Sequence, residues 1–202
     1  NMAGAMAVSV GQHNVSLQDV TAEFNSATLQ GGAFLMEVNS SALAPGYFAW
    51  TIQSGTFFAN SAQSGSAMYV SCGSILAANA TLNVTSSNFA HNNARDNGAL
   101  FFKAEFTDYT FKTHFQYNHF DSNNATNAAS IYAKFGALTE MEFIDNRFEN
   151  GNCSGPGAAM WLVYATAISH QLVMNDTRLS YRSSGPCGVI YLQNTASSNL
   201  TV

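Results

Sequence analysis

The chain carries few groups that could perform acid–base chemistry, and only one arrangement of them repeats. It contains twelve Asp and Glu residues, and the repeated arrangement is Asp145-Asn146-Arg147, followed by Asp176-Thr177-Arg178. A glycoside hydrolase needs two carboxyl groups at a defined separation, and a calcium-dependent lyase needs several oxygen ligands and a nearby base. Because each Asp here has its own Arg two positions away, we interpret the triplets as a charge-compensated surface ladder and assign no catalytic residue.

The histidines do not show the spacing of a metal site. They are five in number: His13, His91, His114, His119 and His170. His114 and His119 are five residues apart and flank the end of a predicted strand, which favours surface turn residues over metal ligands. The GxSxG, P-loop and CxxC sequences do not occur. We therefore expect no enzymatic activity, no bound metal and no cofactor.

Potential N-glycosylation sites are unusually dense. Eight Asn residues stand in N-x-S/T sequences, about twice the number that chance predicts: Asn14, Asn39, Asn79, Asn83, Asn124, Asn152, Asn175 and Asn199. Turns rich in Asn and Ser can generate such sequences by accident, but the enrichment favours a eukaryotic protein of the secretory route. We expect a secreted or cell-surface glycoprotein, with Asn83, Asn124, Asn152 and Asn175 as the best candidates for occupied sites.

Composition and charge narrow the class of partner. The formal net charge of −5, with seven scattered Lys and Arg, argues against nucleic acid and anionic membrane surfaces. The longest uncharged apolar run, residues 157–168, is about half of the roughly 20 residues that a membrane helix needs, so we expect no membrane span. Charged residues make up only 9% of the chain, so solubility must come from Asn, Ser, Thr and Gly or from attached glycans.

An internal repeat is the strongest signal in the sequence. Its anchor is a large apolar residue that recurs about every 28–32 residues, at Phe57, Phe89, Phe120, Phe148 and Leu179. A small residue follows each anchor by five positions, another small residue by nine, and apolar residues by eleven and thirteen. Apolar pairs also precede most anchors by seven and five positions. An earlier copy, one residue shorter, starts at Phe24.

The repeat predicts strands, because its apolar positions alternate with a period of two. Each unit has three short apolar segments separated by turn formers, and such short segments must stack on their copies in neighbouring units. We predict an all-β fold, a right-handed parallel β-helix of about seven coils of roughly 28–34 residues with three short strands per coil. In the central unit Phe89 lies in the core, residues 92–97 form a turn, and Gly98 lets the chain enter the next sheet.

Two short motifs recur within the repeat. The first, F-x-x-N, occurs as Phe57/Asn60, Phe89/Asn92 and Phe120/Asn123; the second occurs as Gly31-Gly32-Ala33-Phe34 and Gly98-Ala99-Leu100. This pairing resembles the F-x-x-N and G-G-A-I repeats of the polymorphic outer membrane proteins, which are chlamydial autotransporter adhesins. The resemblance covers most of the chain at the level of the repeat, and it implies a pectin-lyase-like β-helix and adhesion. The later units depart from it, since Gly151 and Arg182 replace the Asn, and the glycosylation sequences fit a eukaryotic surface protein better than a bacterial outer membrane.

The position twelve residues after the anchor carries a row of mostly aromatic side chains. Its members are Leu35, Tyr69, Phe101, Tyr132, Met160 and Tyr191. If the flanking positions point inward, this row points outward, and an exposed aromatic stripe is costly unless something covers it. It could bind a glycan by ring stacking or seat another chain, or side chains of the next row could partly cover it.

Equivalent turns in two neighbouring coils carry cysteines. Cys153 and Cys187 lie beside matched Gly-Pro steps, and neighbouring coils about 4.8 Å apart could bring their Cα atoms within the roughly 7 Å that a disulfide needs. The sequence therefore predicts a Cys153–Cys187 disulfide, with Cys72 unpaired or joined to a partner.

Both ends of the chain look like partial coils. Residues 4–8 match the strand that follows the Gly, and residues 199–202 match the apolar pair that precedes an anchor. Stacked repeats usually need polar capping units, and none is evident. We expect residues 1–202 to form a single β-helix domain cut in mid-coil at both ends, either a segment of a longer solenoid or a filament protomer.

The sequence thus favours an extracellular structural or adhesive β-helix protein, N-glycosylated and assembling end to end into a surface fibre or filament. Its expected partners are copies of itself or the rest of a longer chain, together with a glycan ligand. The alternative is a polysaccharide-binding or polysaccharide-degrading protein on the same scaffold, because the fold by itself does not decide function.

Overall fold

The structure, a computed structural model, describes residues 4–10, 14–38, 46–72, 78–104, 110–136, 138–164, 170–180, 188–194 and 200–201. These residues contain 24 strands and no helix, so none of them forms a long apolar helix that could cross a membrane. The strands belong to four sheets, and all of their pairings are parallel.

The two long sheets have seven strands each among the described residues. Sheet A consists, in spatial order, of β1 (Met6–Val10), β4 (Phe34–Val38), β8 (Met68–Cys72), β12 (Leu100–Ala104), β16 (Ile131–Phe135), β20 (Met160–Tyr164) and β23 (Ile190–Asn194). Sheet B consists of β2 (Val15–Gln18), β5 (Gly46–Gln53), β9 (Ala78–Thr85), β13 (Thr110–Gln116), β17 (Leu138–Ile144), β21 (His170–Asn175) and β24 (Leu200–Thr201).

The two narrower sheets complete each turn of the chain. Sheet C consists of β3 (Thr21–Glu23), β6 (Thr56–Phe58), β10 (Asn88–Ala90), β14 (His119–Asp121), β18 (Arg147–Glu149) and β22 (Arg178–Ser180). Sheet D consists of β7 (Ser61–Ser64), β11 (Asn93–Asn97), β15 (Asn124–Ala125) and β19 (Asn152–Cys153). The chain visits the sheets in the order A, B, C, D and returns to A one strand further along, which is the path of a parallel β-solenoid.

The predicted fold class is confirmed, but two details of the prediction were wrong. The solenoid has about five turns rather than about seven coils, because the outermost strands of sheets A and B belong to incomplete turns of the described chain. Its central turns contain four strands rather than three. The additional strand β11 occupies Asn93–Asn97, where we expected a turn. The sequence suggested a turn because the inward residue of this strand is only a small Ala94 and its outward residues are polar.

The anchor residues form one internal stack. Phe57, Phe89, Phe120 and Phe148 are fully buried and lie in register on sheet C. Successive ring centroids are 4.7, 4.8 and 4.6 Å apart, with interplanar angles of 3°, 7° and 2°. The stack follows directly from the strand spacing of about 4.8 Å, and offset-stacked rings at this separation attract one another.

The earliest anchor was wrong. Ala22, not Phe24, is in register with Phe57, and Phe24 is 72% exposed with its ring edge-on to Phe58. Phe24 has a positive φ of 55°, so it occupies the turn that leaves the strand. The register is nevertheless kept by Asn25, whose backbone N–H donates to the side-chain oxygen of Asn60 at 3.0 Å.

Buried asparagines bind the turns on both sides of sheet C. After the sheet, the side-chain amides of Asn60, Asn92 and Asn123 form a ladder, with Nδ2 to Oδ1 distances of 3.0 and 3.1 Å. Before the sheet, Asn118 and Asn146 make the same contact at 3.0 Å. The residue before each buried Asn adopts a left-handed conformation, as at His91 with a φ of 55°. The repeated F-x-x-N spacing therefore places a stacked Phe ring in sheet C and, three residues later, a buried Asn that hydrogen-bonds to its copy in the neighbouring turn.

Candidate functional site

The first candidate surface is the outer row on sheet A. Its members lie in register on successive strands: Leu35, Tyr69, Phe101, Tyr132, Trp161 and Tyr191. Five of these residues were predicted from the sequence. The sixth prediction, Met160, was wrong, because Met160 is fully buried and pairs with the inward residues Ile131 and Ile190.

The error at Met160 has a local cause. Seven positions separate Cys153 from Met160, whereas six separate the equivalent Ala125 and Ile131. The additional residue falls in the turn that contains the Gly-Pro step. A shift of one residue moves every side chain of a strand to the opposite face, so Trp161 takes the outward place that counting from Phe148 gave to Met160.

Ring packing changes along the outer row. Tyr69 and Phe101 are stacked with centroids 4.5 Å apart, and Phe101 and Tyr132 are stacked at 5.1 Å. Trp161 then stands edge-on to both of its neighbours, at 80° to Tyr132 and 78° to Tyr191. The indole Nε1 of Trp161 donates to Gln193 Oε1 at 3.2 Å, which fixes the orientation of the ring.

Exposure also changes along the outer row. Leu35, Tyr69 and Phe101 are buried, whereas Tyr132 and Trp161 are half-buried. Tyr191 is 41% exposed. Partial burial raises the pKa of the Tyr132 hydroxyl. The expected exposed stripe is therefore confined to one end of the row, where the rings of Trp161 and Tyr191 are accessible.

The second candidate surface is a shallow groove of about 400 Å³ over the outer face of sheet B. Its lining includes Thr81, Asn83, Lys112, His114, Glu140 and Glu142. Lys112 Nζ lies 2.6 Å from Glu140 Oε2, and His114 Nδ1 lies 2.8 Å from Glu142 Oε2. Each carboxylate thus has a basic partner on the neighbouring strand, and a glycan on Asn83, which is in register with His114, would stand at this groove.

A third group of side chains lies on the outer face of sheet C. His119, Asp121 and Glu149 each place one potential ligand atom within 4.8 Å of the other two. We expected His114 and His119 to be surface turn residues, but His114 lies within strand β13 and His119 begins strand β14. A search for closely spaced metal ligands in the sequence misses this group, because Asp121 and Glu149 are 28 residues apart. The group could have been predicted from the alignment of the anchors, because both carboxylates directly follow an anchor Phe and His119 directly precedes one.

The electrostatics of this group depend on Arg147. Its Nε donates to Glu149 Oε1, whereas His119 Nε2 lies 3.5 Å from Glu149 Oε2. The Arg147 guanidinium, assisted by His119, holds the pKa of the Glu149 carboxyl below its ordinary value. The predicted Asp145–Arg147 compensation was wrong, because Arg147 bonds to Glu149 and faces Arg178 on the next strand.

The predicted glycosylation sites fall in different environments. Side chains of Asn14, Asn124, Asn152 and Asn175 are exposed, and that of Asn83 is half-buried. Asn79 lies in β9. Asn39 and Asn199 lie outside the described residues. Asn124 and Asn152 belong to an exposed ladder, in which Asn152 Nδ2 donates to Asn124 Oδ1 at 3.2 Å and Asn124 Nδ2 donates to Asn93 Oδ1 at 3.0 Å.

The predicted disulfide falls partly outside the described residues, which do not include Cys187. Cys153 is buried, with its Sγ 2.8 Å from the carbonyl oxygen of Gly155. Cys72 is a buried thiol whose pKa is raised by burial. The Cys153–Cys187 bridge stays a prediction.

Comparisons of the chain with protein-family models, with curated proteins and with solved structures gave no match. The solenoid and the outer faces of sheets A, B and C are therefore the basis for assigning a function.

Proposed function

We propose that this protein is an extracellular structural or adhesive solenoid that binds a carbohydrate chain at the exposed end of the outer row. The observation that carries the proposal is the pair Trp161 and Tyr191, whose rings are accessible at one end of a row in which Leu35, Tyr69 and Phe101 are buried. Accessible aromatic surface of this kind marks interaction sites, and rings with an apolar face and a polar edge suit a sugar ring.

The scaffold supports this role because it holds the rings at fixed spacing. Trp161 is oriented by Gln193 and by edge contacts on both sides. Beneath the strand, Met160 and Leu162 are fully buried in the core. Binding groups on such a rigid element lose little conformational entropy when a ligand arrives.

The resemblance to the polymorphic outer membrane protein repeats and to pectin-lyase-like β-helices is part of the same proposal. The buried asparagine ladder gives the F-x-x-N motif a structural role in this chain, which supports a shared architecture. Secretion, N-glycosylation and end-to-end assembly into a fibre belong to the proposal as well, and sedimentation of the intact protein over a range of concentrations checks the last of these.

Polysaccharide cleavage is the second candidate, favoured by the groove over sheet B with Glu140 and Glu142 on one strand face. General acid–base cleavage needs one carboxyl that gives a proton and one group that accepts it. Lys112 and His114 already engage the two carboxylates. We therefore favour binding over cleavage.

The decisive experiment measures oligosaccharide binding on a glycan array and then by titration calorimetry. Trp161→Ala and Tyr191→Ala should each weaken binding by about tenfold, since one stacked ring contributes roughly 1–1.5 kcal/mol. The matched control is Tyr117→Ala, because Tyr117 is 59% exposed and lies in the turn between β13 and β14. Equal loss in the control, or no binding to any glycan class, would overturn the proposal, and release of shortened oligosaccharides would favour the second candidate.

Intrinsic fluorescence gives an independent readout of the same event. The chain has two tryptophans, and Trp50 is fully buried while Trp161 is half-buried. A bound sugar should protect Trp161 from quenching by acrylamide. That protection should disappear in Trp161→Phe while the signal from Trp50 stays unchanged.

A further inference from the structure

The group His119, Asp121 and Glu149 is built across two consecutive turns of the solenoid. Phe120 and Phe148 point into the core, so the residues on either side of them point outward. Asp121 is in register with Glu149, and His119 is in register with Arg147. The three ligand atoms consequently meet on the outer face, within 4.8 Å of one another.

Both carboxylates are oriented by hydrogen bonds to one of their two oxygens. Asp121 Oδ1 accepts from Asn150 Nδ2 at 2.9 Å and from Ser122 Oγ at 3.1 Å. Glu149 Oε1 accepts from Arg147, which leaves Oε2 facing the imidazole. Donors that hold the non-ligating oxygen are the usual outer shell of a metal-binding carboxylate.

The imidazole contributes an unsatisfied buried atom. Nε2 of His119 is buried without a hydrogen-bond partner among the described residues, and its 3.5 Å separation from Glu149 Oε2 is too long for a well-formed hydrogen bond. Asn88, in register with His119 on the preceding strand, also has a buried side-chain oxygen without such a partner. A buried acceptor without a partner is destabilising, and a cation bound by His119 would satisfy its Nε2.

We propose that His119, Asp121 and Glu149 bind one divalent transition metal ion of the zinc class. One imidazole nitrogen and two carboxylate oxygens suit zinc, nickel or cobalt, and three protein ligands leave a position for water. Calcium is disfavoured because it prefers six to eight oxygen ligands. The ion would link β14 to β18, and so would join two turns from the outside where the phenylalanine stack joins them from the inside.

The side chains have room to close around an ion. Zinc–ligand bonds of about 2.0–2.2 Å place neighbouring ligand atoms roughly 3.0–3.5 Å apart. His119 Nε2 and Glu149 Oε2 are already 3.5 Å apart, and any separation near the upper limit of 4.8 Å must shrink by roughly 1.3–1.8 Å. The His119 side chain is 41% exposed and can move without disturbing the core. Arg147 competes for Glu149 only through the oxygen that the ion does not need.

The test is a titration of the complete, untagged protein with Zn²⁺ by calorimetry, and with Co²⁺ by visible absorption. We expect one saturable site for each ion and none for Ca²⁺. His119→Gln and Glu149→Gln should each weaken Zn²⁺ binding by roughly tenfold or more. The matched control is His114→Gln, which removes a histidine that faces a carboxylate but belongs to no three-ligand group among the described residues.

Each outcome bears on the site. Loss of binding in the two site variants, with His114→Gln unchanged, supports it, provided that their melting temperatures in chelator match the wild type. Absence of saturable Zn²⁺ binding, binding that survives both site variants, or equal loss in the control would overturn it. If His119 and Glu149 form only an ordinary side-chain pair, the titration should show no saturable Zn²⁺ binding. None of these results depends on carbohydrate binding at Trp161.

Discussion

The side-chain amide of Asn92 donates to Asn123 Oδ1 at 3.1 Å, while its own Oδ1 accepts from the side-chain amide of Asn60 at 3.0 Å. The same Oδ1 accepts from the backbone N–H of Asn60 at 3.1 Å, and the amide also donates to the backbone carbonyl of Phe57 at 2.9 Å. All three asparagines are buried. One side chain therefore satisfies backbone and side-chain groups of the preceding turn and reaches the following turn.

Replacing Asn92 with Ala should lower the free energy of unfolding by about 2–3 kcal/mol. The variant removes the acceptor of the buried Asn60 backbone N–H and of one hydrogen of the Asn60 side-chain amide, together with a donor to the carbonyl of Phe57. Each orphaned group costs about 1–3 kcal/mol before the structure relaxes. Urea unfolding monitored by far-UV circular dichroism measures the change. The control is Asn124→Ala in the exposed ladder, where water replaces the lost bonds and the change should stay within about 0.5 kcal/mol. Equal losses in the two variants would contradict a special role for burial.

Replacing Phe89 with Ala should cost about 3–5 kcal/mol, because it opens a cavity between two stacked rings. Phe89 is fully buried, 4.7 Å from the ring of Phe57 and 4.8 Å from that of Phe120. Phe24→Ala serves as the control, since Phe24 is exposed and contacts Phe58 edge-on. A loss below about 1 kcal/mol is expected there. A larger loss for Phe24 than for Phe89 would show that Phe24, not Ala22, lies in the stack.

The phenylalanine stack could be predicted from the sequence because one large side chain recurs at nearly constant spacing. Each copy must then meet its neighbour at the strand separation, whatever the turns do. The anchor of the first copy was predicted wrongly, because its inward position carries only Ala22 and the nearby Phe24 is a larger apolar residue. Apolar patterning identifies large inward residues, but it does not distinguish a small inward residue from a turn.

The outward-facing groups were harder to predict, since they depend on counting through the turns. Because of one additional residue beside the Gly-Pro step, Trp161 faces outward where the sequence predicted Met160. Strand β11 was hidden because its outward Asn93 and Arg95 have the composition of a turn. His119 and Glu149 lie close together only because their strands are in register. Predicting this contact requires the correct anchors first, and then the assignment of each side chain to the inner or outer face.

Cys72 should react very slowly with thiol reagents while the protein is folded. Its side chain is fully buried, and burial raises the pKa of the thiol, so both access and the reactive thiolate are suppressed. Labelling with iodoacetamide at pH 8, followed by peptide mass spectrometry, should find Cys72 unmodified in buffer and modified in urea. Rapid labelling of Cys72 in buffer would contradict its place in the core.

Alkaline pH should destabilise the protein through the same thiol. In the unfolded chain the thiol ionises near pH 8.5, whereas burial keeps it protonated in the folded state. The folded state therefore holds more protons above that pH, and stability falls as the pH rises, by up to about 1.4 kcal/mol per pH unit. Between about pH 8.5 and 9.5, Cys72→Ala should flatten this decline, although it lowers stability at neutral pH. An unchanged slope in urea unfolding would show that Cys72 does not cause the decline.

Glycans on Asn124 and Asn152, if the protein is secreted, should largely exclude one another. The two residues are in register on β15 and β19, so their backbones lie about 4.8 Å apart. Branched glycans on both would crowd one face. Each amide nitrogen also donates along the exposed ladder, and attachment of a sugar removes one of its hydrogens. Asn175, exposed on sheet B, has no glycosylation sequence on the described neighbouring strand β17 and should be occupied independently.

Glycopeptide mass spectrometry of protein secreted from a eukaryotic host checks this expectation. Peptides that cover both sites should carry one glycan more often than two, and Asn124→Gln should raise the occupancy of Asn152. Asn175→Gln is the control and should leave the occupancy of Asn152 unchanged, because the two residues lie on different sheets. A folded product that carries two glycans on most molecules would contradict mutual exclusion, since the register of β15 and β19 would then leave room for both. A product without any glycan would contradict the use of these sequences altogether.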